Sequence, residues 1–453
     1  MKSPVASANR HPRLTRREML KMTALGLAIP LFAPACATSS RRNARRSNAD
    51  TLHIGCIATG RMGRGDMRAA LQQGLDPEIN ARVVAVCDVD ANRAALARAM
   101  VETFYKENLP DETHPEIAVY RDYRDLLGRR DIDGVTISTP DHWHALNAID
   151  AANAGKDMYI QKPLTWSIGE GKELVKAVRR NNVVLQTGSQ QRSNARWRRA
   201  CELVRNGRIG KVESVLVTLP SDSGTGNPEP MPVPENLDYD MWLGPAPEAP
   251  YTEDRVHPQD GFGRPGYLQI ERHCLGMITG WGSHMFDIAQ WGLGTDDTGP
   301  LEMRAKGEFP DRGLFDVHTN FEAEGRYADG VKLLAKTGSA GVRFNGEDGW
   351  LFVSRGGIEA SDPAILEDEI GDDEIRLYHS ENHMRDFLEC MRTRKDPICP
   401  VEVGHRSNSV CVMTHIAMKL GREVNWDPGR ERFIDDDQAN AMLSPSYRAP
   451  WKV

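Results

Sequence analysis

Long apolar segments and cysteine motifs are both scarce in this chain of 453 residues. A helix that spans a bilayer needs about 20 consecutive apolar residues. The main apolar run, near the N-terminus, is shorter, so no membrane span is expected. The eight cysteines form neither a Cys-x-x-Cys pair nor a Cys/His cluster at zinc-ligand spacing. The sequence therefore predicts no metal site, and it leaves open a disulfide among the last four cysteines.

Basic charge is lacking from most of the chain. The formal net charge is −7, yet residues 1–50 hold ten Lys or Arg against two Asp or Glu. Residues 51–453 therefore carry a net charge of −15. A body with this charge repels the phosphates of DNA and RNA. We expect no nucleic-acid partner, whereas neutral small molecules remain unrestricted.

The basic N-terminus is predicted to be a targeting segment. Arg16 and Arg17 precede a short apolar stretch and a run of small residues. This pattern is typical of an export signal, and the arginine pair resembles the twin-arginine signal. We predict a signal over residues 1–37, an Arg-rich linker over 38–50 and a periplasmic location. The alternatives are a generic signal peptide, a disordered arm, or a lipid anchor on Cys36.

Short apolar segments alternate with helical segments from residue 51 onward. Strand-like runs at residues 52–57, 83–87 and 134–139 are almost continuously apolar, as expected for strands buried on both faces. Strands separated by helices of about 10–15 residues indicate βαβ units. The sequence therefore predicts an α/β protein, with a Rossmann domain and its doubly wound parallel sheet over residues 51–188.

The alternation changes after residue 188. Strand-like segments near 212–218 and 320–327 lie on either side of a long stretch rich in Pro and Gly. This pattern predicts an α+β domain over residues 189–430 that is built on a mostly antiparallel sheet. A C-terminal extension is assigned to residues 431–453.

A glycine-bearing turn follows the first predicted strand and opens the first helix. Its residues Ala58, Gly60, Arg61, Met62 and Gly63 match the G-x-G-x-x-G dinucleotide pattern, with Ala in the first place. The second glycine lets the backbone approach a pyrophosphate, and the third lets the helix pack on the sheet. The free N–H groups of the helix N-terminus then attract the phosphates.

An acidic residue ends the second predicted strand. Asp88 follows Gly63 by 25 residues, which suits a carboxylate that accepts hydrogen bonds from the adenosine ribose. The alternative is a turn residue or helix cap. A carboxylate there repels a 2′-phosphate, so NAD is predicted as the cofactor. NADP remains the alternative because Arg93 lies nearby in sequence.

Further motifs come at predicted strand ends, where parallel sheets bind ligands. They are Thr139-Pro140-Asp141-His142-Trp143-His144, Gln161-Lys162-Pro163-Leu164 and, later, Asp240-x-Trp242-Leu243-Gly244-Pro245. With the glycine turn, they resemble the Gfo/Idh/MocA family, which includes glucose–fructose oxidoreductase and inositol dehydrogenase. The family usually has Glu-Lys-Pro where this chain has Gln161. The resemblance implies an open-faced second sheet and a homodimer or homotetramer.

The resemblance also implies two catalytic positions. Lys162 matches the lysine that contacts the reacting hydroxyl, and His284 matches the histidine taken as catalytic acid/base. The family often has Asp four residues before that histidine, where this chain has Gly280. The chemistry agrees, because a lysine beside a cationic nicotinamide has a lowered pKa and a histidine titrates near neutrality. The alternatives are a solvated lysine and a structural histidine.

The loop of the first motif is implied to lie beside the cofactor. In the family this places Thr139, Pro140, His142 and His144 near the dinucleotide, together with Gln161. Two histidines two positions apart also suit a metal, but no carboxylate or cysteine cluster supports that reading.

Aromatic and polar residues near the motifs are candidates for sugar contacts. Trp143 and Trp281 offer flat apolar surfaces for a sugar ring, although each is also typical of a core residue. Gln191, Arg192 and Arg272 offer hydrogen bonds to hydroxyl groups.

Three functions follow as hypotheses. The first is an NAD(P)-dependent oxidoreductase that moves a hydride to or from a secondary alcohol carbon of a sugar, polyol or glycoside. The second is a redox-neutral glycoside-cleaving enzyme in which tightly bound NAD is reduced and reoxidised within one turnover. The third is a binding protein that carries no chemistry.

Overall fold

A six-stranded parallel sheet forms the first half of the fold. The computed structural model describes residues 50–114 and 116–453. The strand order is β3-β2-β1-β4-β5-β6, so the chain reverses direction across the sheet between β1 and β4. This is the predicted doubly wound Rossmann sheet. Its strands are β1 Leu52–Ile57, β2 Ala81–Cys87, β3 Ala118–Tyr120, β4 Gly134–Ile137, β5 Asp157–Ile160 and β6 Leu185–Thr187.

Helices cover this sheet, and its central strands are buried at every position except one half-buried residue in each of β1 and β2. Side chains of the chain itself cap several helix starts. Asp90 accepts hydrogen bonds from the N–H groups of Asn92 and Arg93, and Ser167 forms a reciprocal capping box with Glu170. The helices of this half are α1 Arg61–Gly74, α2 Ala91–Asn108, α3 Tyr123–Leu127, α4 Asp141–Asn153 and α5 Ile168–Asn181.

A nine-stranded sheet forms the second half, in the order β13-β12-β11-β7-β10-β9-β8-β14-β15. The pair β7–β10 is parallel, and the other described pairs are antiparallel. The predicted mostly antiparallel sheet is therefore confirmed. The strands are β7 Val212–Leu219, β8 Glu302–Gly307, β9 Phe321–Arg326, β10 Lys332–Thr337, β11 Gly341–Gly346, β12 Gly349–Val353, β13 Ile358–Ala360, β14 Val424–Asp427 and β15 Arg432–Phe433.

One face of the second sheet carries the larger core. Alternate residues of β7 to β10 are buried, whereas their neighbours are exposed or half-buried. Helices α6, α9 and α12 pack on the buried face with Trp197, Phe286 and Ile416 in the core. The helices of this half are α6 Ala195–Arg205, α7 Tyr239–Leu243, α8 Met277–Gly280, α9 Gly282–Leu293, α10 Ala364–Glu367, α11 His383–Thr393, α12 Val401–Leu420 and α13 Asp437–Ala441.

Late parts of the chain return to the first sheet. Helix α11 packs there, with Phe387 and Leu388 in the same core as Leu52 and Met67. The predicted signal, linker and lipid anchor fall on residues 1–49, outside the described part. Within the described ranges, no helix is both long and apolar enough to cross a membrane.

Candidate functional site

A cleft of about 480 Å³ opens at the carboxyl ends of the parallel strands. The turn after β1 and the ends of β2, β4 and β5 line it, and residues of the second half close it. Most of the predicted site residues meet here. They are Ala58, Gly60, Arg61, Met62, Asp88, Thr139, Pro140, Trp143, His144, Gln161, Lys162, Trp281 and His284.

The β1–α1 turn has the geometry of a phosphate cradle. Ala58 adopts a left-handed backbone with φ of 62°, where the usual glycine has no steric cost. A Cβ on Gly63 would lie 2.0 Å from the carbonyl oxygen of Ala58, so only glycine allows this close packing. No side chain caps the start of α1 at Gly60, which leaves its N–H groups for an anion.

Asp88 lies beside this turn. Its Oδ2 accepts hydrogen bonds from the N–H and Oγ1 of Thr59, at 2.7 and 3.0 Å, and its Oδ1 accepts one from the N–H of Asp90 at 3.0 Å. A carboxylate has about four acceptor positions. Asp88 therefore fixes the turn and keeps acceptor capacity for ribose hydroxyls, so the residues present fit an adenine dinucleotide.

Lys162 is half-buried just after the end of β5, in the same cleft. Its Nζ donates to the carbonyl oxygen of Gly280, 2.6 Å away. Burial lowers the pKa of Lys162, and the positive charge of Arg355 acts in the same direction. The ammonium thus bonds to a main-chain oxygen at the position where the family often has Asp. No atom lies within 4 Å of a Cβ placed on Gly280, so the missing side chain leaves open space.

His284 lies in the first turn of α9 and is buried. Burial lowers its pKa well below the usual range, and the charges of Lys162 and Arg355 lower it further. Its Nδ1 has no hydrogen-bond partner in the described part of the chain. The imidazole is therefore neutral at pH 7 and its hydrogen-bonding capacity is not used up by the protein.

Asp141 is a site residue that the sequence reasoning missed. It begins α4 and lines the cleft, it is 5% exposed, and its Oδ2 has no described hydrogen-bond partner. Burial raises its pKa, whereas the charges of His144 and Lys162 oppose that rise. The buried carboxyl of Asp141 thus lines the same cleft as Lys162. Its position after a strand end was the available signal.

Gln161 has a structural explanation in a second missed residue, Asp66 on α1. The Nε2 of Gln161 donates to both carboxylate oxygens of Asp66 at 2.9 Å, and Ser138 Oγ donates to Oδ2 at 2.7 Å. Burial raises the pKa of Asp66 to about 6 despite these donors. A glutamate at position 161 would place two carboxylates together, so the amide of Gln161 suits its place beside Asp66.

Residues of the Thr139–His144 motif hold loops together and also line the cleft. His144 contacts the carbonyl oxygens of Pro163 at 2.6 Å and Thr139 at 2.9 Å. Trp143 Nε1 donates to the carbonyl oxygen of Trp242, and its ring packs edge-on against Trp451. These contacts hold the loops after β4 and β5 in place.

His142 lies outside the cleft lining. It is buried, its Nε2 lies 3.2 Å from the carbonyl oxygen of Trp242, and its ring contacts His273. Burial lowers the pKa of His142 to about 4. The described residues contain no group of three or more His, Cys, Asp or Glu that would hold a metal.

Three candidate substrate residues do not line the cleft either. Arg192 is 2% exposed and forms ion pairs with Asp287 and Asp296, at 2.8 and 2.7 Å. Gln191 is buried, and Arg272 is exposed. Polar residue type and closeness to a strand end did not distinguish a buried ion pair from a ligand contact.

Two family models together match most of the chain. The oxidoreductase-family NAD-binding Rossmann fold of GFO/IDH/MocA matches residues 52–189. The C-terminal alpha/beta domain of the same oxidoreductase family matches residues 221–453.

Curated relatives match over shorter stretches. The chain is 29% identical over 183 residues to uncharacterized oxidoreductase YrbE of Bacillus subtilis, covering 40% of this chain and 47% of that protein. It is 31% identical over 161 residues to inositol 2-dehydrogenase 3 of Saccharopolyspora erythraea, covering 35% and 42%. It is 33% identical over 136 residues to glycosyl hydrolase family 109 protein 1 of Shewanella sp. MR-4, covering 28% and 27%. The chain thus spans less than half the length of these relatives.

Solved structures share the whole fold. The WlbA dehydrogenase from Bordetella pertussis, in complex with NADH and UDP-GlcNAcA, is 17% identical with a TM-score of 0.61 and covers 83% of this chain and 99% of its own. A levoglucosan dehydrogenase in complex with NADH and levoglucosan is 17% identical with a TM-score of 0.58, with the same coverage. At this identity the likeness shows the fold. With the two family models, it leads to one conclusion: the chain belongs to the Gfo/Idh/MocA family of oxidoreductases and contains its NAD-binding Rossmann domain.

Proposed function

We propose that this protein is an oxidoreductase that moves a hydride between NAD and a secondary alcohol carbon of a sugar, polyol or glycoside. The observation that carries the proposal is the shared cleft: the glycine turn and Asp88 line it together with Lys162 and His284. The inositol 2-dehydrogenase and levoglucosan dehydrogenase named above support the substrate class.

Proton transfer is the task of the protein's own residues. Bound NAD supplies the acceptor for the hydride, and the hydroxyl proton of the alcohol passes to a base. Lys162 is assigned as this base, because burial lowers its pKa and so makes the loss of a proton from its ammonium easier. The neutral imidazole of His284 orients the hydroxyl, and Asp141 stabilises the ammonium that forms.

Lysine replacement tests this proposal. Purified protein is incubated with NAD and a panel of sugars and polyols, and NADH is followed by its absorbance. Lys162→Ala is expected to lower kcat/KM by roughly 10²–10⁴-fold while NAD binding persists. Lys176→Ala, at an exposed helix position, is the matched control. A wild type that binds NAD but turns over no sugar or polyol contradicts the proposal and favours the binding-protein hypothesis.

A second candidate is redox-neutral glycoside cleavage. The segment 234–268, here called the strap, runs over the start of α2, and its residues His257, Pro265 and Tyr267 line the cleft. A covered cofactor favours chemistry in which NAD is reduced and reoxidised without leaving. The glycosyl hydrolase family 109 relative supports this candidate. Steady cleavage of aryl glycosides by protein without added NAD would favour it, whereas a strict need for free NAD in every turnover would exclude it.

Export and assembly are proposals of the same kind. The paired Arg16 and Arg17 support export of the folded protein to the periplasm. Replacing both with Lys is expected to retain the protein in the cytoplasm, which cell fractionation measures.

The exposed face of the second sheet supports a homodimer or homotetramer, and light scattering coupled to gel filtration measures the mass.

A further inference from the structure

Arg355 is a cleft residue whose charge the proposed chemistry does not use. It belongs to the turn between β12 and β13, far from the first sheet in sequence, and lines the same cleft as Lys162 and His284. The positive charge of Arg355 lowers the pKa of Lys162 and the pKa of His284. Because Arg355 lines the same cleft as Lys162 and His284, its guanidinium can reach a substrate bound there.

The turn holds Arg355 in place. Ser354 Oγ accepts hydrogen bonds from the N–H groups of Gly356 and Gly357, and Arg196 donates to the carbonyl oxygen of Arg355 at 2.7 Å. The guanidinium lies over the ring of Trp281, with 4.4 Å between its Cζ and the ring centroid. Such stacking orients the guanidinium and leaves the N–H groups at its edge free to bind an anion.

The guanidinium has no carboxylate partner. Across residues 50–114 and 116–453, no Asp or Glu oxygen lies within 4.0 Å of it. Two other arginines at the cleft are paired, since Arg264 lies 2.6 Å from Asp222 and Arg93 lies 3.9 Å from Asp90. Arg61 and Arg121 also lack an ion pair among the described residues, but they line the cleft with the residues of the dinucleotide turn and of the β2 end, whereas Arg355 lies on Trp281. Arg355 is exposed at the cleft, and partial desolvation there lowers the pKa of its guanidinium. An arginine that is held by an aromatic ring and unpaired beside a reacting group is typical of a site that receives its anion from a ligand.

We infer that Arg355 and Trp281 form a carboxylate subsite, and that the substrate is an acidic sugar of the uronic acid class. The ring of Trp281 holds the guanidinium in place from one side, and Arg355 forms paired hydrogen bonds to the carboxylate of the sugar. A single guanidinium matches the single charge of a carboxylate better than the double charge of a phosphate ester. This inference rests on the proposed function, because it specifies the substrate of the same cleft.

Binding and turnover together test the inference. Holoprotein is titrated by calorimetry with hexuronates, with the parent neutral hexoses and with hexose 6-phosphates, each in the gluco, galacto and manno series. At least one hexuronate is expected to bind roughly 10-fold or more tightly than its parent hexose, with the preference weakening as salt is added. Arg355→Gln is expected to abolish that preference, because it lowers the affinity for the hexuronate far more than the affinity for the parent hexose.

Arg343→Gln is the matched control, because Arg343 also stacks on a tryptophan, Trp350, at 4.2 Å, but does not line the cleft. Equal binding of every acid and its parent hexose overturns the inference, as does tighter binding of a hexose phosphate or an Arg355→Gln variant that keeps the acid preference. Calorimetry separates the two proposals. Preferential binding of the acid without any turnover supports the carboxylate subsite and contradicts the proposed function. Turnover of neutral sugars without a preference for the acid supports the proposed function and contradicts the subsite.

Discussion

At the scale of single residues, one methyl group decides whether α1 fits against the β1–α1 turn. Gly63→Ala places a Cβ 2.0 Å from a main-chain oxygen, whereas a Cβ on Gly65, in the same helix, meets nothing within 4 Å. We expect Gly63→Ala to lower the free energy of unfolding by about 1–3 kcal/mol and to weaken NAD binding by roughly 10-fold or more, since the phosphate cradle must shift. Urea unfolding and NAD calorimetry measure both effects.

The matched variant Gly65→Ala is expected to keep NAD binding and to raise the free energy of unfolding by about 0.5–1 kcal/mol, because alanine favours the helix. Equal NAD affinity in the two variants would refute the steric role assigned to Gly63.

The buried carboxyl of Asp66 makes stability depend on pH. Burial raises its pKa from 3.8 to about 6. The folded protein therefore holds a proton that the unfolded chain has already lost, and the free energy of unfolding falls as pH rises from about 4 to about 6. A shift of this size corresponds to about 3 kcal/mol across the window. Asp66→Asn is expected to reduce this decline, measured by urea unfolding at several pH values.

Gln161 provides the control for that experiment. Gln161→Glu adds a second carboxylate beside Asp66 and should destabilise the protein most above pH 6. The double variant Asp66→Asn with Gln161→Glu again has one acid and one amide at this contact. Its free energy of unfolding is expected to return toward that of the wild type. If stability falls equally with pH in the wild type and Asp66→Asn, another group is responsible.

At the scale of elements, the strap is tied to the start of α2. The N–H of Ala91 donates to the carbonyl oxygen of Asn236 at 2.8 Å, and His257 Nε2 lies 3.0 Å from Asp90 Oδ2. Burial alone would raise the pKa of Asp90, but hydrogen bonds from His257 and Asn236 lower this pKa to about 2. The aromatic ring of Phe262 also lies 4.0 Å from the Cζ of Arg64 on α1.

Weakening the strap should release the cofactor faster. His257→Ala removes a hydrogen bond to a charged group, so we expect the NAD dissociation rate to rise roughly 10-fold. Stopped-flow displacement of bound NADH measures this rate. His379→Ala, at an exposed ion pair outside the cleft, is the control. An unchanged rate in His257→Ala would show that the strap does not retain the cofactor.

At the scale of the whole molecule, the C-terminal residues join the two halves. Tyr447 OH donates to Glu170 Oε1 at 2.8 Å, Arg448 Nη1 donates to Asp240 at 2.6 Å, and Trp451 packs on Trp143. Removing the indole by Trp451→Ala is expected to lower the free energy of unfolding by about 2 kcal/mol. Lys452→Ala, at the neighbouring exposed position, should have no measurable effect. Similar losses in both variants would contradict a packing role for Trp451.

Much of this architecture follows from sequence because its signals are local. Continuous apolar runs predicted β1 and β2, and a glycine turn between strand and helix predicted the cradle. The strands β8 and β11 were missed because β8 alternates buried residues with charged ones, and β11 has Arg and Asn between its buried residues. The pairs Gln161–Asp66 and Arg192–Asp287 each join residues 95 positions apart. No spacing rule reaches contacts of that kind, so Asp66 and Arg355 became visible only in three dimensions, whereas the position of Asp141 after a strand end was a signal that the sequence already offered.

The bond from Lys162 to the carbonyl oxygen of Gly280 has a consequence for protein engineering. A main-chain oxygen cannot be deleted by substitution and does not ionise, so a side-chain change at residue 280 does not remove the acceptor of this bond. The vacant space at residue 280 meanwhile admits a carboxylate by one codon change. The first carbon of the acid typical of the family can thus be reintroduced at residue 280 without a clash.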